Sequence, residues 1–183
     1  MKKNRGITMV ALVITIVVLL IIAGISIGAG NNAIKNSKLE NLKTNMLLIE
    51  VKAKEQIENA KFRLGTSFDK ATEEEKTKRV NTAKTAFKGD EIVDGEIFSN
   101  NTKITTEKIH EDNTKNNTYY YLLNTPDLID MGLKNVKSDE KNGYYIVKYN
   151  LKDSTIEIYN TEGFDDEGNV VYSLTDIKQV RLK

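Results

Sequence analysis

The strongest pattern in the chain is an uninterrupted apolar run near its start. Residues Ile7–Ala29 form 23 positions without a charged side chain, and they follow a short basic head that ends at Gly6. As a helix this run would measure about 35 Å, enough to cross a hydrocarbon core of about 30 Å. It is also longer than the apolar part of an ordinary secretory signal, which is about 7–15 residues. The pattern therefore predicts a transmembrane helix over residues 7–29.

The basic head sets the predicted orientation of that helix. Lys2, Lys3 and Arg5 precede the apolar run, and such charges keep a terminus in the cytoplasm. We therefore expect a single-pass plasma-membrane protein with its C-terminal part outside the cytoplasm. Inside the run, Gly24 and Gly28 form a GxxxG pair, which favours close packing against another helix, although glycine is common in membrane helices in any case.

A one-sided helical pattern continues over residues 30–64. The stretch 28–32 is a poor helix former and predicts either a joint or a kink. Beyond it, apolar residues recur every three or four positions among charged ones, which is typical of an amphipathic helix. They are Leu39, Leu42, Met46, Ile49, Ala53, Ile57, Ala60 and Leu64. Such a stripe packs on a sheet or on other helices, and its near-heptad spacing leaves a juxtamembrane coiled coil as an alternative.

Residues 65–183 predict a globular α+β head. Thr72 and Glu75 have the spacing of a capping box at a helix start, and Thr125 with Pro126 predicts the cap of a short helix that ends at Gly132. Alternating apolar residues predict strands at Thr118–Leu123, Tyr144–Tyr149, Thr155–Tyr159 and Val170–Leu174, with short strand candidates at Glu91–Phe98. We expect an antiparallel sheet of about four strands, packed on the long helix.

The composition excludes several kinds of covalent and catalytic chemistry and indicates no particular one. The chain has 183 residues, a net charge of +1, no cysteine and one histidine. Disulfides and thiolate chemistry are therefore excluded. The single histidine, His110, is expected on an exposed loop. Because there is only one, a metal cluster of histidines or a histidine-based catalytic dyad is nearly excluded. No catalytic motif is present, so we expect no enzymatic activity and no cofactor.

One acidic segment has the residue types of a calcium ligand set. Asp165, Asp166, Glu167 and Asn169 carry the oxygen ligands that Ca²⁺ prefers. Their spacing is not that of an EF-hand loop, and a hairpin turn needs the same residue types. We therefore read the segment as a turn and expect no bound metal.

A run of tyrosines invites a nucleic-acid interpretation. Tyr119, Tyr120 and Tyr121 follow Lys115 closely, and aromatic side chains near cations stack on single-stranded bases. In a strand, however, successive side chains face opposite sides, so at least one of the three belongs to the core. We expect no nucleic-acid partner.

The junction at Gly6 resembles the class III signal of type IV pilins and type II secretion pseudopilins. The residues that carry the resemblance are K-K-N-R-G followed by I-T-M-V-A-L-V-I-T-I. In that family a prepilin peptidase cuts after the glycine and methylates the new N-terminus. The resemblance implies that Gly6 precedes the cut and that Ile7 becomes the methylated first residue, where the family usually has Phe or Met.

One position departs from the family pattern. The fifth mature residue is usually a glutamate that is thought to pair with the N-terminal amine of a neighbouring subunit, and here it is Ala11. The departure favours a minor or divergent subunit. The segments G-Y-Y-I-V-K-Y-N and G-N-V-V-Y-S-L also resemble the C-terminal parts of pilin-like proteins from low-GC Gram-positive bacteria.

The resemblance implies a fold and a function. We expect a leader at 1–6, a transmembrane helix at 7–29, an amphipathic helix at 30–64 and a head at 65–183, in a type IV pilin-like fold. The protein would be a structural subunit of a pilus, a type II secretion system or a competence pseudopilus. Its partners would be the prepilin peptidase, other pilin subunits and the membrane, and it would join a cell-surface filament after processing. The alternative is an uncleaved single-pass membrane protein that displays a small extracytoplasmic binding domain.

Overall fold

A computed structural model describes residues 5–65, 67–98 and 104–181 of the chain. Within its first helix, the side chains of residues 5–11, 13 and 21–31 are outside the description. The chain divides into two units, Met1–Asn41 and Leu42–Lys183. The second unit therefore contains the end of the first helix together with everything that follows it.

Helix α1 covers Arg5–Leu64. It continues through residues 28–32, where the sequence predicts a joint or a kink. An interior glycine costs a helix only about 1 kcal/mol relative to alanine, so two glycines do not by themselves end one. Among the described residues, no helix is both long enough and apolar enough to cross a membrane.

The amphipathic pattern is confirmed for the part of α1 that lies in the second unit. The predicted stripe is buried there at Met46, Ile49, Ala53, Ile57, Ala60 and Leu64. Polar side chains on the same helix reach the sheet. The Gln56 side-chain oxygen accepts a hydrogen bond of 2.6 Å from the Tyr149 hydroxyl and one of 3.3 Å from the Lys88 backbone N–H.

The described residues of the second unit form a five-stranded antiparallel sheet, which confirms the α+β class. The strands are β1 (Asp90–Ile92), β2 (Thr118–Leu123), β3 (Tyr145–Asn150), β4 (Thr155–Asp166) and β5 (Asn169–Ser173), in the order β1-β2-β3-β4-β5. The sheet gains a fifth strand over the expected four because the start of the Glu91–Phe98 candidate pairs with β2. The rest of that candidate is not a strand.

Strand β4 is longer than predicted because a bulge lets it continue past Tyr159. The register with β5 shifts between Tyr159 and Phe164. Buried Asn160 holds the irregular backbone, since its side-chain oxygen accepts hydrogen bonds from the N–H groups of Glu162 at 3.1 Å and Gly163 at 2.9 Å. The bulge therefore turns what the sequence predicts as one short strand into the longest strand of the sheet.

Short helices fill the connections, and their caps follow from local side chains. They are a 3₁₀ turn (Phe68–Lys70), α2 (Glu73–Lys84), α3 (Thr106–Lys115), α4 (Thr125–Asp130) and α5 (Leu174–Ile177). The predicted capping box of Thr72 and Glu75 is confirmed, with hydrogen bonds of 3.1 and 3.3 Å.

The predicted cap of α4 is wrong by one residue. Asn124 is the cap, and its side-chain oxygen accepts from the Asp127 N–H at 3.0 Å. The Thr125 hydroxyl instead accepts a hydrogen bond of 2.9 Å from the Ser138 backbone N–H. Thr125 thus links the first residue of α4 to the loop at Ser138 and does not cap the helix.

Both faces of the sheet are covered. On one face, Phe87 stacks on Tyr149 with a centroid distance of 3.9 Å and meets Tyr121 edge-on at 5.1 Å. On the other face, α3 contributes Ile109 to a cluster with Tyr120 and other buried side chains. Helix α1 lies on the first face, where Gln56 contacts Tyr149. The sheet is therefore the middle layer of three.

Candidate functional site

Helix α1 contains most of the residues that the resemblance to pilins singles out. These are Arg5, Gly6, Ile7, Ala11, Gly24 and Gly28. Their side-chain surroundings are outside the description, and Lys2 and Lys3 lie outside the described residues altogether. The leader charges, the cleavage site, the methylation site and the GxxxG contact therefore stay predictions.

The described apolar side chains between Leu12 and Leu20, in the first unit, are strongly exposed. Between 46% and 67% of the side-chain surface is accessible at Leu12, Ile14, Ile16, Val17, Val18, Leu19 and Leu20. Successive residues lie about 100° apart around a helix, so five consecutive residues cover every side. The segment 16–20 therefore presents apolar surface all round. Removing such a surface from water is energetically favourable.

A second exposed apolar stripe lies on α1 in the second unit. Leu48, Val51 and Phe62 fall within about 60° of one another around the helix, roughly opposite the buried stripe. Phe62 is 88% exposed and Val51 is 63% exposed. We call these three residues the outer stripe. The helix is thus apolar on two opposite sides, only one of which the sheet covers.

A buried carboxylate is the most connected polar group of the second unit. Asp112, on α3, is 3% exposed. One of its oxygens accepts from the Tyr120 hydroxyl at 2.7 Å and lies 3.1 Å from the Lys148 ammonium. The other oxygen lies 3.0 Å from the Lys108 ammonium and accepts from the Asn116 amide at 3.1 Å. We call these five side chains the Asp112 cluster.

The electrostatics of the Asp112 cluster are those of a structural anchor. Burial opposes ionisation of Asp112, but hydrogen bonds from Tyr120, Lys108, Lys148 and Asn116 hold its pKa well below the usual range. Burial, together with the hydrogen bond to Asp112, raises the pKa of Tyr120 far above its ordinary value. Both carboxylate oxygens are occupied by donors. The cluster therefore ties α3 to β2 and β3.

Sequence reasoning missed this cluster because it placed the segment in a loop. The predicted loop position of His110 is wrong, since His110 lies on helix α3, where it is exposed as expected. The missed signal was local. Thr105 caps the helix by accepting from the Lys108 N–H at 3.2 Å, and Lys108, Asp112 and Asn116 repeat every four residues on one helical face.

The tyrosine run is not a stacking platform. Tyr119, Tyr120 and Tyr121 are 7%, 0% and 5% exposed. At least one of them was expected in the core, and all three are there because both faces of β2 are covered. Their rings are in contact with other protein groups; the Lys84 ammonium, for example, lies 4.8 Å from the centre of the Tyr119 ring.

The acidic segment forms the turn between β4 and β5. Glu167 and Gly168 have φ angles of 54° and 92°, and two successive positive φ angles are typical of a type I′ hairpin turn. The Asp165 carboxylate accepts from the Gly168 N–H at 2.7 Å, while Asp166 and Asn169 pair across the hairpin. Within the described ranges, no group of three or more His, Cys, Asp or Glu side chains is placed to hold a metal ion.

A polar cleft of about 810 Å³ lies where the end of α1 meets α2, α3 and the β3–β4 turn. Its wall contains four lysines, Lys61, Lys76, Lys84 and Lys152. We call it the lysine cleft. Its polar wall also includes Asn113, whose side-chain oxygen is buried and has no hydrogen-bond partner among the described residues.

Comparisons with protein-family models, with curated proteins and with solved structures found no match for this chain.

Proposed function

We propose that the chain is a pilin-like structural subunit. In this proposal, residues 7–29 hold the protein in the plasma membrane with its second unit outside. The prepilin peptidase cuts after Gly6 and methylates Ile7. The freed helix then joins other pilin subunits in an extracytoplasmic filament. The observation that carries the proposal is the exposed apolar surface of the first unit, which covers every side of the helix at residues 16–20.

The energetics of that surface support a structural role. Complete burial of a valine, leucine or isoleucine side chain contributes about 1.5–3 kcal/mol. The seven exposed apolar side chains between Leu12 and Leu20 therefore represent a large unused driving force for insertion or assembly. Lipid satisfies it before processing, and neighbouring helices satisfy it in a filament. The second unit need supply no chemistry, in keeping with an Asp112 cluster whose acceptors are all occupied.

The fold of the second unit also supports the proposal. A long N-terminal helix whose second part packs on a small antiparallel sheet is the layout that the resemblance implies. The outer stripe adds an uncovered apolar surface on the same helix. Ala11 removes the charge that would pair with a neighbour's N-terminus, so assembly would depend on apolar packing, which fits a minor or divergent subunit.

The proposal is tested by blocking the cut. Gly6→Val places a branched side chain at the residue before the scissile bond, and we expect processing by a co-expressed prepilin peptidase to be abolished. Asn4→Val is the matched control, because it adds the same side chain two residues earlier and should be processed normally. The intact mass of each purified protein gives the answer. Normal maturation of Gly6→Val would overturn the proposal.

A second candidate function is an uncleaved anchored protein that displays a binding domain. The lysine cleft favours this candidate. A cleft lined by lysines and asparagines offers polar groups to a ligand, and a purely structural subunit does not need such a cleft. An N-terminus that still begins at Met1, in cells that contain an active prepilin peptidase, would support this candidate against the first.

A further inference from the structure

Strand β5 lies at one edge of the sheet. Within the described residues it pairs with β4 only, on one of its two sides. Asp166 and Asn169 flank the two-residue turn and pair across it. The backbone groups of Asn169 and Val171 therefore point towards β4, and those of Val170 point away from it. The Val171 carbonyl fits this assignment, since a Cβ atom added to Gly163 on β4 would lie 2.6 Å from its oxygen. The open side of β5 thus offers backbone N–H and C=O groups to another strand.

A groove of about 550 Å³ adjoins this edge. All five residues of β5 line it, together with Asp176 on α5 and with Gln179 and Val180, which follow that helix. Its volume falls in the range of about 300–1,000 Å³ that is typical of ligand sites. Apolar side chains such as Val170 and Val171 stand beside polar ones in its wall. The groove therefore leaves room beside the edge for the side chains of a segment that pairs with β5.

The hairpin that contains this edge is acidic. Residues 154–177 include six acidic side chains and no lysine, arginine or histidine. Two of the six, Asp166 and Asp176, line the groove, and neither forms an ion pair within the described part of the chain. Pairing with the same hairpin of a second copy would bring like charges together, whereas a cationic partner would be attracted. The charge therefore favours a basic partner over self-association.

The two acids that line the groove lie near opposite ends of β5. Asp166 pairs with Asn169, the first residue of the strand, and the Asp176 carboxylate accepts a hydrogen bond of 2.8 Å from the hydroxyl of Ser173, the last. These two ends are four residues apart, which is about 13 Å in an extended strand. In a strand that pairs with β5, residues i and i+4 face the same side and are separated by the same length. Cationic side chains at that spacing match the separation of the two ends.

We infer that the open edge of β5 binds an extended peptide segment with a lysine or arginine at positions i and i+4. The segment adds a strand to the sheet through backbone hydrogen bonds, and its two cations contact Asp166 and Asp176. Backbone pairing supplies affinity in this mode of binding, and the charges select the partner. The inference goes beyond the proposed filament role and does not depend on it.

Isothermal titration of the full chain with short peptides tests the chemistry of the partner. The protein is kept in lauryldimethylamine oxide because of the exposed apolar segment in its first unit, at low salt, where surface ion pairs are screened least. The probe is the peptide T-K-T-V-T-K-T, blocked at both ends, and glutamates replace both lysines in the control peptide. We expect the lysine peptide to bind at least tenfold more tightly. Equal affinities, or no saturable binding of the lysine peptide, would overturn the inference.

Two N-methylated forms of the lysine peptide test whether it binds as a strand. Successive N–H groups of a strand point to opposite sides. One form is methylated at the backbone nitrogens of the two lysines and the other at those of the two inner threonines, so each form blocks a different side. We expect their affinities to differ at least tenfold. Equal affinities would show attraction by charge without strand pairing and would contradict the inference.

Variants locate the binding at β5. Asp166→Asn and Asp176→Asn each keep an oxygen acceptor and remove one charge, and each should weaken binding of the lysine peptide about threefold. Glu162→Gln is the matched control, because Glu162 is an exposed acid of the same hairpin outside the groove. It should leave the affinity unchanged. If the control weakens binding as much as the other two variants, the overall charge of the hairpin attracts the peptide and the assignment to this groove is wrong.

None of these readouts depends on processing after Gly6. The N-terminal mass reports the filament proposal, and the titrations report the edge of β5. Failure of one therefore leaves the other to be judged on its own result.

Discussion

The apolar side chains of residues 12–20, in the first unit, and those of the second unit differ in how much of their surface is exposed to solvent. In the first unit, the described residues from Leu12 to Leu20 leave about half of each apolar side chain accessible, between 46% and 67%. In the second unit, side chains such as Ile49, Ile57, Tyr120 and Ile146 are at most 1% exposed. The same residue types thus form an exposed surface over residues 12–20 and a core in the second unit.

The difference shows where each unit finds its stabilisation. The second unit buries its apolar surface within its own three layers, so its fold depends on internal packing. The first unit presents apolar surface on every side at residues 16–20, so its stable state depends on surroundings that the chain alone does not supply. This difference suits a protein whose first part serves as an anchor and whose second part is a stably folded domain.

The largest expected effect on the second unit comes from the buried side of α1. Ile57→Ala removes a fully buried side chain and should lower the free energy of unfolding by about 2–5 kcal/mol. Val51→Ala, on the outer stripe of the same helix, should change it by less than about 0.5 kcal/mol. Urea unfolding followed by tyrosine circular dichroism is the measurement, since all eight tyrosines lie in the second unit. Similar losses in the two variants would show that α1 does not pack as described.

The Asp112 cluster should come next. Asp112→Ala leaves the Tyr120 hydroxyl and two lysines without their shared acceptor, and it should lower the free energy of unfolding by about 3 kcal/mol. Glu111→Ala is the matched control, because this neighbouring acid is about half exposed and its loss should matter by less than about 0.5 kcal/mol. If Asp112→Ala were as stable as the control, the cluster would not anchor α3 to the sheet.

Acid should destabilise the second unit through the same carboxylates. Burial opposes ionisation of Asp112 and Glu50, but donors from the cluster and from Lys54 and Lys178 hold the pKa of each below its usual range. A carboxyl whose pKa is lowered on folding stabilises the fold above its unfolded pKa of about 4 and loses that effect as pH falls towards the folded value. The urea midpoint should therefore drop as the pH falls from about 5 to about 2. The drop should be shallower in Asp112→Ala, and parallel curves would contradict the assignment.

The smallest effect on stability is expected on the outer stripe. Phe62→Ser replaces an aromatic side chain that is 88% exposed, so the free energy of unfolding should change by less than about 0.5 kcal/mol. If the stripe contacts neighbouring subunits, the same variant should reduce the amount of protein recovered in sheared filaments. Asn59→Ser, at another exposed position of α1, serves as the control. A stability loss above 1 kcal/mol would show that Phe62 belongs to the core.

Much of the second unit could be predicted from local patterns. The buried stripe of α1, the capping box at Thr72 and the limits of β2 all follow from side-chain periodicity or from hydrogen bonds within four residues. Each of these patterns lies in the same short segment of the chain whose structure it determines. The turn over the acidic segment is likewise predictable, since Asp165 to Asn169 contains the residues that a hairpin turn needs.

What could not be predicted depends on residues far apart in the chain. Asn124 and Thr125 are both residue types that cap helices well. Asn124 is the cap in the structure because the Thr125 hydroxyl accepts a hydrogen bond from the distant Ser138 N–H. Helix α3 has a polar sequence, and its place is secured by Ile109 and Asp112, which contact strands formed later in the chain. The burial of all three tyrosines requires layers on both faces of β2, which no local pattern reveals.

The N-terminus of the mature protein is the most direct test of the proposal that the first unit anchors the protein and is processed after Gly6. Intact-mass and N-terminal peptide analysis would be done on protein recovered from cells with an active prepilin peptidase. We expect a chain that begins at Ile7 and carries one added methyl group. A chain that begins at Met1, or one that begins near Asn31, would contradict it.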